Sequence, residues 1–350
     1  MIGYYVHHHG RGHATRAARI AAACSEPVVG LSSAPRPVDW PGEWIELPDD
    51  APDGEHPEST GEAADPTAGG ALHWVPRGHP GLRARAARIS AWIESERPRA
   101  LVADVSVEVA LLARLHGVPV VSVVLPGRRD DEPHRLGHRV SDALVAAWPP
   151  EASQDIARPD PEQAPRVHAV GGLSRFDRRP LVERPTATAR TEAARHVVVL
   201  SGTGGGAPLD LAQLDRARAT TPGWTWTVVG GPGGEWAPDP WPLLCAADVV
   251  VCSAGQNVIA EVAASRTPAI LVPLERPFDE QRWMGEALLR LGMPVLAVPG
   301  REDLLDWPAL LERAATLDSA PWAAWVDGAA AHRAARVIEE VAGRDDGGMA

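Results

Sequence analysis

Short apolar runs alternate with longer stretches of helical periodicity, twice over with a break between, and this constrains the chain more than any other feature. The runs at 2–7, 28–32, 44–47, 100–103 and 118–124 read as strands, and 14–24, 81–96 and 107–116 read as helices. Alternation of this kind builds a parallel sheet covered by helices on both faces. A Gly-, Pro- and Arg-bearing stretch at 171–185 interrupts it and has the composition of a linker. The rhythm then restarts, with strands at 196–200, 225–229, 249–252, 269–272 and 295–298, and helices at 209–219, 257–265 and 280–291. A last helical region is expected over 321–342. With 350 residues there is chain enough for two cores. The expected division is a first domain over 1–172, a linker over 173–194, a second domain over 195–320, and a C-terminal helix and tail over 321–350 that packs back on the first. Segments 48–70 and 149–165, rich in Pro and acidic residues, are expected as surface loops.

Composition removes several classes of function. The net charge of -12 opposes nonspecific attraction to nucleic acid or anionic lipid. Cys24, Cys245 and Cys252 are too few and too scattered for a disulfide framework, which fits a reducing cytoplasm. No apolar run approaches the roughly 20 residues that span a bilayer; peripheral membrane contact stays open. The absence of lysine and the abundance of Ala, Arg, Gly and Pro read as a GC-rich coding bias.

Four constellations carry chemistry. The first strand runs into His7-His8-His9-Gly10-Arg11-Gly12-His13 and then an alanine-rich helix. A strand, a glycine turn and a helix start leave backbone N–H groups at the mouth of the crevice above a parallel sheet. His13 stands there and can act as general base toward an acceptor hydroxyl, or simply cap the helix. The run of histidines does not make a metal site by itself, because neighbours on a strand point to opposite faces and no cysteine or carboxylate lies beside them in the sequence; no metal is expected. Asp104 follows a second strand and can orient His13, or cap the helix after it. In the third constellation, Ser201-Gly202-Thr203-Gly204-Gly205-Gly206-Ala207, the glycines let backbone amides approach a diphosphate closely. It lacks the Lys and Ser/Thr ending of a P-loop, so no ATPase follows.

The fourth is the strongest. A buried strand ends in Cys252-Ser253-Ala254-Gly255-Gln256-Asn257, where a new helix offers free amides to a phosphate. Glu261, about a turn further on, can accept from two vicinal ribose hydroxyls. Asn257 is the only asparagine in the chain and sits inside this motif. The stretch 248–281 resembles the donor-binding segment of inverting GT-B glycosyltransferases, both the UDP-glycosyltransferases and the bacterial N-acetylglucosamine transferase that completes lipid II. The Gly10-Arg11-Gly12-His13 turn is similar to the N-terminal Gly-His loop of that family, and 201–207 to its second glycine loop. The resemblance places Glu261 on the ribose and Glu280 and Gln281 on sugar hydroxyls. Ser253 stands where plant-type members carry a phosphate-binding histidine, and also where retaining members carry a second glutamate, which favours inversion.

The expected picture is therefore an α/β chain of two Rossmann-like domains facing across a cleft, parallel sheets with helices on both faces. A nucleotide sugar, UDP-linked by the resemblance, binds the second half as co-substrate, and a small-molecule or lipid-linked acceptor binds the first, against the loops 48–70 and 126–136. His13 and Asp104 are the expected catalytic pair. Gly202, Thr203, Gly204, Gly205, Ser253, Gly255, Gln256, Asn257, Glu261, Glu280 and Gln281 are the expected donor contacts, and Gly10, Arg11 and Gly12 form the acceptor-side loop. No cofactor or metal is expected. The alternatives are a UDP-N-acetylglucosamine 2-epimerase-like isomerase and a noncatalytic nucleotide or glycan binder.

Overall fold

Strands made almost wholly of Val, Ile, Leu and Ala hold a sheet only if both of its faces are covered, and the chain supplies that cover twice. The computed structural model describes residues 1–8, 10–50, 64–157, 160–180, 195–202, 206–298 and 305–343. In the first half β1 (Ile2–Tyr5), β2 (Val28–Ser32), β3 (Trp44–Glu46), β4 (Ala100–Asp104), β5 (Val120–Val124), β6 (Ala143–Ala146) and β7 (Val167–Ala169) form one sheet in the order β3-β2-β1-β4-β5-β6-β7. Every pairing in it is parallel, with Tyr5 opposite both Leu31 and Ala103. Around it lie α1 (Arg11–Ala21), α2 (Pro80–Glu96), α3 (Val107–Leu115), α4 (Glu132–Val140) and the single turn α5 (Ser153–Ile156).

The second half repeats the plan. β8 (Arg195–Leu200), β9 (Trp224–Val229), β10 (Val249–Cys252), β11 (Ala269–Leu271) and β12 (Val295–Ala297) make a parallel sheet in the order β12-β11-β10-β8-β9. Its helices are α6 (Leu211–Thr220), α7 (Trp241–Ala246), α8 (Gln256–Ser265), α9 (Glu280–Arg290) and α10 (Trp307–Ala315). Local chemistry sets their starts: Asp210 and Gln213 close a reciprocal capping box on α6, and the Ser106 and Asp131 side chains accept from the first free amides of α3 and α4.

The expected single helix over 321–342 is two: α11 (Trp322–Trp325) and α12 (Ala330–Gly343). Gly328, at φ 80, turns the chain between them. Trp322 and Trp325 of α11 are buried in the core beneath α8, while Ala334, Ile338 and Val341 of α12 are buried with Ile2, Tyr4 and Ala17 of the first half. The Arg333 Nε donates to the Val170 carbonyl at 2.8 Å, so the last helix is fastened to the first sheet. The strands β6 and β7 and the helix α4 were not expected from the sequence.

Both sheets reverse their strand order once, between β1 and β4 in the first and between β8 and β10 in the second. Loops leaving adjacent strands in opposite directions open a crevice at such a point, and ligands of α/β sheets bind there. Among the described residues no helix is long and apolar enough to cross a membrane.

Candidate active site

The first reversal brings together two groups 91 residues apart. His13 lies in the first turn of α1 and Asp104 ends β4, with His13 Nδ1 at 3.1 Å from Asp104 Oδ2. Neither is a cap: Ser106 caps α3, and Gly10 at φ 79 precedes α1 with no side-chain cap. Arg16, one turn beyond His13 on the same helix, donates to Asp104 Oδ1 at 2.5 Å, and its Nη2 lies 3.1 Å from His13 Nδ1. Burial pushes the Asp104 carboxyl upward, but the charges of Arg16 and His13 outweigh it and hold the group at about 2. The carboxylate is thus ionised and fully buried. Val105, immediately after it, is a β-branched residue at φ 69, a conformation such side chains avoid. Backbone of this kind is held by its surroundings and clusters at functional sites.

The second reversal places the start of α8 against this pair. Gln256, its first residue, accepts from Arg16 Nη1 at 2.9 Å and donates through Nε2 to the Ala147 carbonyl at 3.3 Å. A Cβ on Gly12 would collide with the Asn257 side-chain amide, so the first turns of α1 and α8 touch. Two helix N-termini, each carrying partial positive charge, face one another here. An anion between or beside them relieves that repulsion.

The remaining expected donor contacts surround α8. Ser253 and Gly255 form the turn before it, and the Gln281 amide nitrogen would lie 4.0 Å from a Cβ on Gly255. Gln281 itself is buried and its Oε1 accepts from the Leu274 amide at 2.8 Å. Gly202 packs toward Val258 of α8; Thr203, Gly204 and Gly205 lie outside the described residues. Glu261 is bound by a residue the sequence gave no reason to expect. Arg175 sets Nε 2.9 Å from its Oε1 and donates from Nη2 to its Oε2 at 3.2 Å. Burial pushes the Glu261 carboxyl up, with Arg175 opposing. Two carboxylate oxygens carry about four acceptor positions, so two remain for hydroxyls. Arg11 stacks its guanidinium 5.1 Å from the ring centre of Trp236, an exposed indole of the β9–α7 segment, and the turn at 10–12 thereby reaches the second half.

Glu280 opens α9 and meets Arg129 of the first half at 3.4 Å. The Arg128 amide donates to the Phe278 carbonyl at 3.0 Å, and the Phe278 ring lies against Arg129 and His134. Phe278 and Asp279 both have left-handed backbone, at φ 62 and φ 54. A cavity of about 550 Å³ opens beside this contact, lined by Arg129, Arg135, His138, Trp148 and Asp160 of the first half and Trp283 of α9. Its size suits a drug-sized molecule.

Two groups of side chains have the spacing of a metal site among the described residues: His8 with Asp49 and Asp50, and His73 with Asp131 and His134. The sequence neighbourhood showed no carboxylate near His8; the fold brings two. Each group already holds a guanidinium, Arg85 at 2.7 Å from Asp50 and Arg129 at 3.2 Å from His134 Nε2. A fixed positive charge there disfavours a cation.

Residues 239–283, which run from the Trp241 helix to α9, match the family described as the glycosyltransferase family 28 C-terminal domain. Together the fold and this match define a nucleotide-sugar glycosyltransferase with two Rossmann-like domains in the GT-B arrangement. Over 258 residues the chain is 29% identical to the UDP-N-acetylglucosamine–N-acetylmuramyl-(pentapeptide) pyrophosphoryl-undecaprenol N-acetylglucosamine transferase of Rubrobacter xylanophilus, covering 62% of this chain and 71% of that one. Similar solved structures include the glycosyltransferase of kitacinnamycin (TM-score 0.63, 16% identity, 97% of this chain and 98% of that chain). The UDP-glucosyltransferase of Polygonum tinctorium that glucosylates indoxyl gives TM-score 0.63 at 16% identity over 97% of both chains. The MurG protein of Acinetobacter baumannii gives 0.58 at 14% identity over 97% and 99%.

Proposed function

We propose that the chain transfers a sugar from a UDP-linked donor to a hydroxyl of a small-molecule or lipid-linked acceptor, by one displacement that inverts the anomeric carbon. The observation that carries this reading is the contact of the His13–Asp104 pair, through Arg16, with the first turn of α8. A base able to take the acceptor proton and a helix end able to take the leaving diphosphate are thereby held beside one another. In this reaction His13 accepts the hydroxyl proton as the oxygen attacks, and ionised Asp104 stabilises the imidazolium that forms. The amides around Ser253 to Gln256 receive the negative charge that develops on the diphosphate as the glycosidic bond breaks. Those amides supply what a divalent cation would otherwise supply, so the reading needs neither metal nor cofactor.

Glu261 accepts from the ribose with the positions Arg175 leaves free, while Gln281 and Glu280 reach the sugar. The acceptor enters from the first half, where the cavity beside Arg129 adjoins the start of α9. The UDP assignment draws support from the bacterial and plant relatives, whose names specify UDP-sugars.

A thermal-shift screen of the full chain against UDP-, TDP- and GDP-sugars tests the donor. A ligand at 100 times its dissociation constant stabilises by about 2.7 kcal/mol, and UDP-sugars should give the largest shift. Incubation with UDP-N-acetylglucosamine alone separates transfer from epimerisation: appearance of a second nucleotide sugar would sink the transferase reading. His13→Ala should keep UDP affinity and lose roughly 10²–10⁴-fold in transfer.

A further inference from the structure

Arg16 has no assigned part in the reaction, yet it is buried and contacts His13, Asp104 and Gln256 at once. We infer that Arg16 is a positioning residue with two duties: it is the counter-ion that lets His13 stand beside Asp104 as a neutral imidazole, and the tether that joins this pair to Gln256 at the start of the donor helix. The inference rests on the proposed transfer reaction, since it assigns His13 the work of a base.

The geometry divides the Asp104 carboxylate in two. Oδ1 accepts from Arg16 Nη2 at 2.5 Å and Oδ2 faces His13 Nδ1 at 3.1 Å. The same Nη2 lies 3.1 Å from His13 Nδ1. One ring nitrogen cannot donate to a carboxylate and accept from a guanidinium at once. An ionised carboxylate is the stronger claim on it, so Nδ1 carries the hydrogen and Nε2 keeps the lone pair that takes a proton. A buried carboxylate needs a cation. Arg16 fills that need permanently; among the described residues that contact Asp104, the cation left without it is a protonated His13, which is no longer a base. Among the described residues, the groups facing His13 are Asp104 from β4, Arg16 from its own helix, and the His7 ring with its centre 5.2 Å away.

The tether follows from the other end of the guanidinium. Nη1 donates to Gln256 Oε1 at 2.9 Å while the Gln256 amide nitrogen reaches the Ala147 carbonyl. A planar fork can hold Asp104 and Gln256 together; a lysine ammonium is a single point on a flexible stem and holds one of them.

The test uses the full chain labelled with ¹⁵N-histidine, with the His13 signals identified by their loss in His13→Ala. In the unsubstituted protein near neutral pH the ring should show one protonated nitrogen, Nδ1. Arg16→Met should convert it to a ring protonated on both nitrogens. Arg16→Lys should keep the singly protonated ring but lose the tether, slowing release of UDP from the nucleotide sugar that binds tightest by at least tenfold while UDP affinity stays within threefold. An Arg16→Met protein whose His13 ring is unchanged overturns the counter-ion duty, and an Arg16→Lys protein with undiminished UDP release overturns the tether. If Arg16→Met lacks a cooperative unfolding transition, Arg16→Lys alone decides. Failure of the transfer reading is told apart, because His13→Ala would then release UDP as fast as the unsubstituted chain.

Discussion

Replacing Asp104 by asparagine preserves shape and removes charge, which isolates what the buried pair contributes. The Arg16 guanidinium, itself buried, would lose the partner that sits 2.5 Å away. Breaking one side of a buried ion pair costs roughly 3–5 kcal/mol. For a unit of 150–250 residues each kcal/mol moves Tm by about 2–4 °C, so Asp104→Asn should melt roughly 6–20 °C lower at neutral pH. Acid titration gives a second handle. The carboxyl falls from its ordinary 3.8 to about 2 on folding. A depressed folded value means stability that is present above the unfolded value and lost as pH falls through the folded one. That contribution is about 2 kcal/mol; the unsubstituted chain should lose it between about pH 4 and pH 2, and the variant should have none to lose there. The rest of the penalty is the stranded guanidinium, so the double variant Asp104→Asn, Arg16→Met should recover most of it. Calorimetry at neutral pH and urea titrations on the acid side measure all three proteins. A single variant within 1 kcal/mol of the unsubstituted chain, or a double variant as unstable as both singles added, refutes the argument.

Glu261→Gln should weaken UDP binding by roughly tenfold or more, since charge-assisted hydrogen bonds are worth about 1.5–3 kcal/mol. Because burial raises the Glu261 carboxyl, UDP affinity of the unsubstituted chain should fall on acidification sooner than an ordinary carboxylate would dictate, and calorimetric titration of the Gln variant should show no such fall. Gly12→Val should leave the melting of the first half nearly unchanged but displace Asn257 and spread the halves, seen as lost turnover and a larger radius of gyration in solution scattering. Gly127→Ala forces a side chain into φ 103 and against the Phe278 carbonyl, and should cost about 1–3 kcal/mol in urea unfolding.

The reach of the sequence is clearest at the two glycine turns. A strand running into Gly-Arg-Gly-His and another running into Ser-Ala-Gly-Gln-Asn announced a turn and a helix start because residue type and local element agreed. The His13–Asp104 contact was readable as a pair of strand ends, though nothing local says that β1 and β4 are neighbours; that is a matter of strand order. Arg16 was readable in hindsight: it lies three residues after His13, so both share a helix face. Arg175 was not, since an arginine in the Gly-, Pro- and Arg-bearing stretch 171–185 has the look of solvated linker until the fold brings Glu261 to it. The strand β6 hid because Ala143–Ala146 is only four residues long, and β7 hid behind a stretch dominated by Pro and acidic residues. The split of the last helical region hid behind apolar periodicity that outweighed a single Asp-Gly step.

Val105 holds the peptide after Asp104 in left-handed backbone. A valine turned the wrong way round its backbone would relax by about 1–3 kcal/mol if it were glycine, yet a glycine would also let the peptide after Asp104 swing. Heat resistance and aim are therefore opposed at this one position. Selecting variants of the chain for thermal survival alone would drift toward the looser residue and toward an enzyme that lasts longer and transfers less.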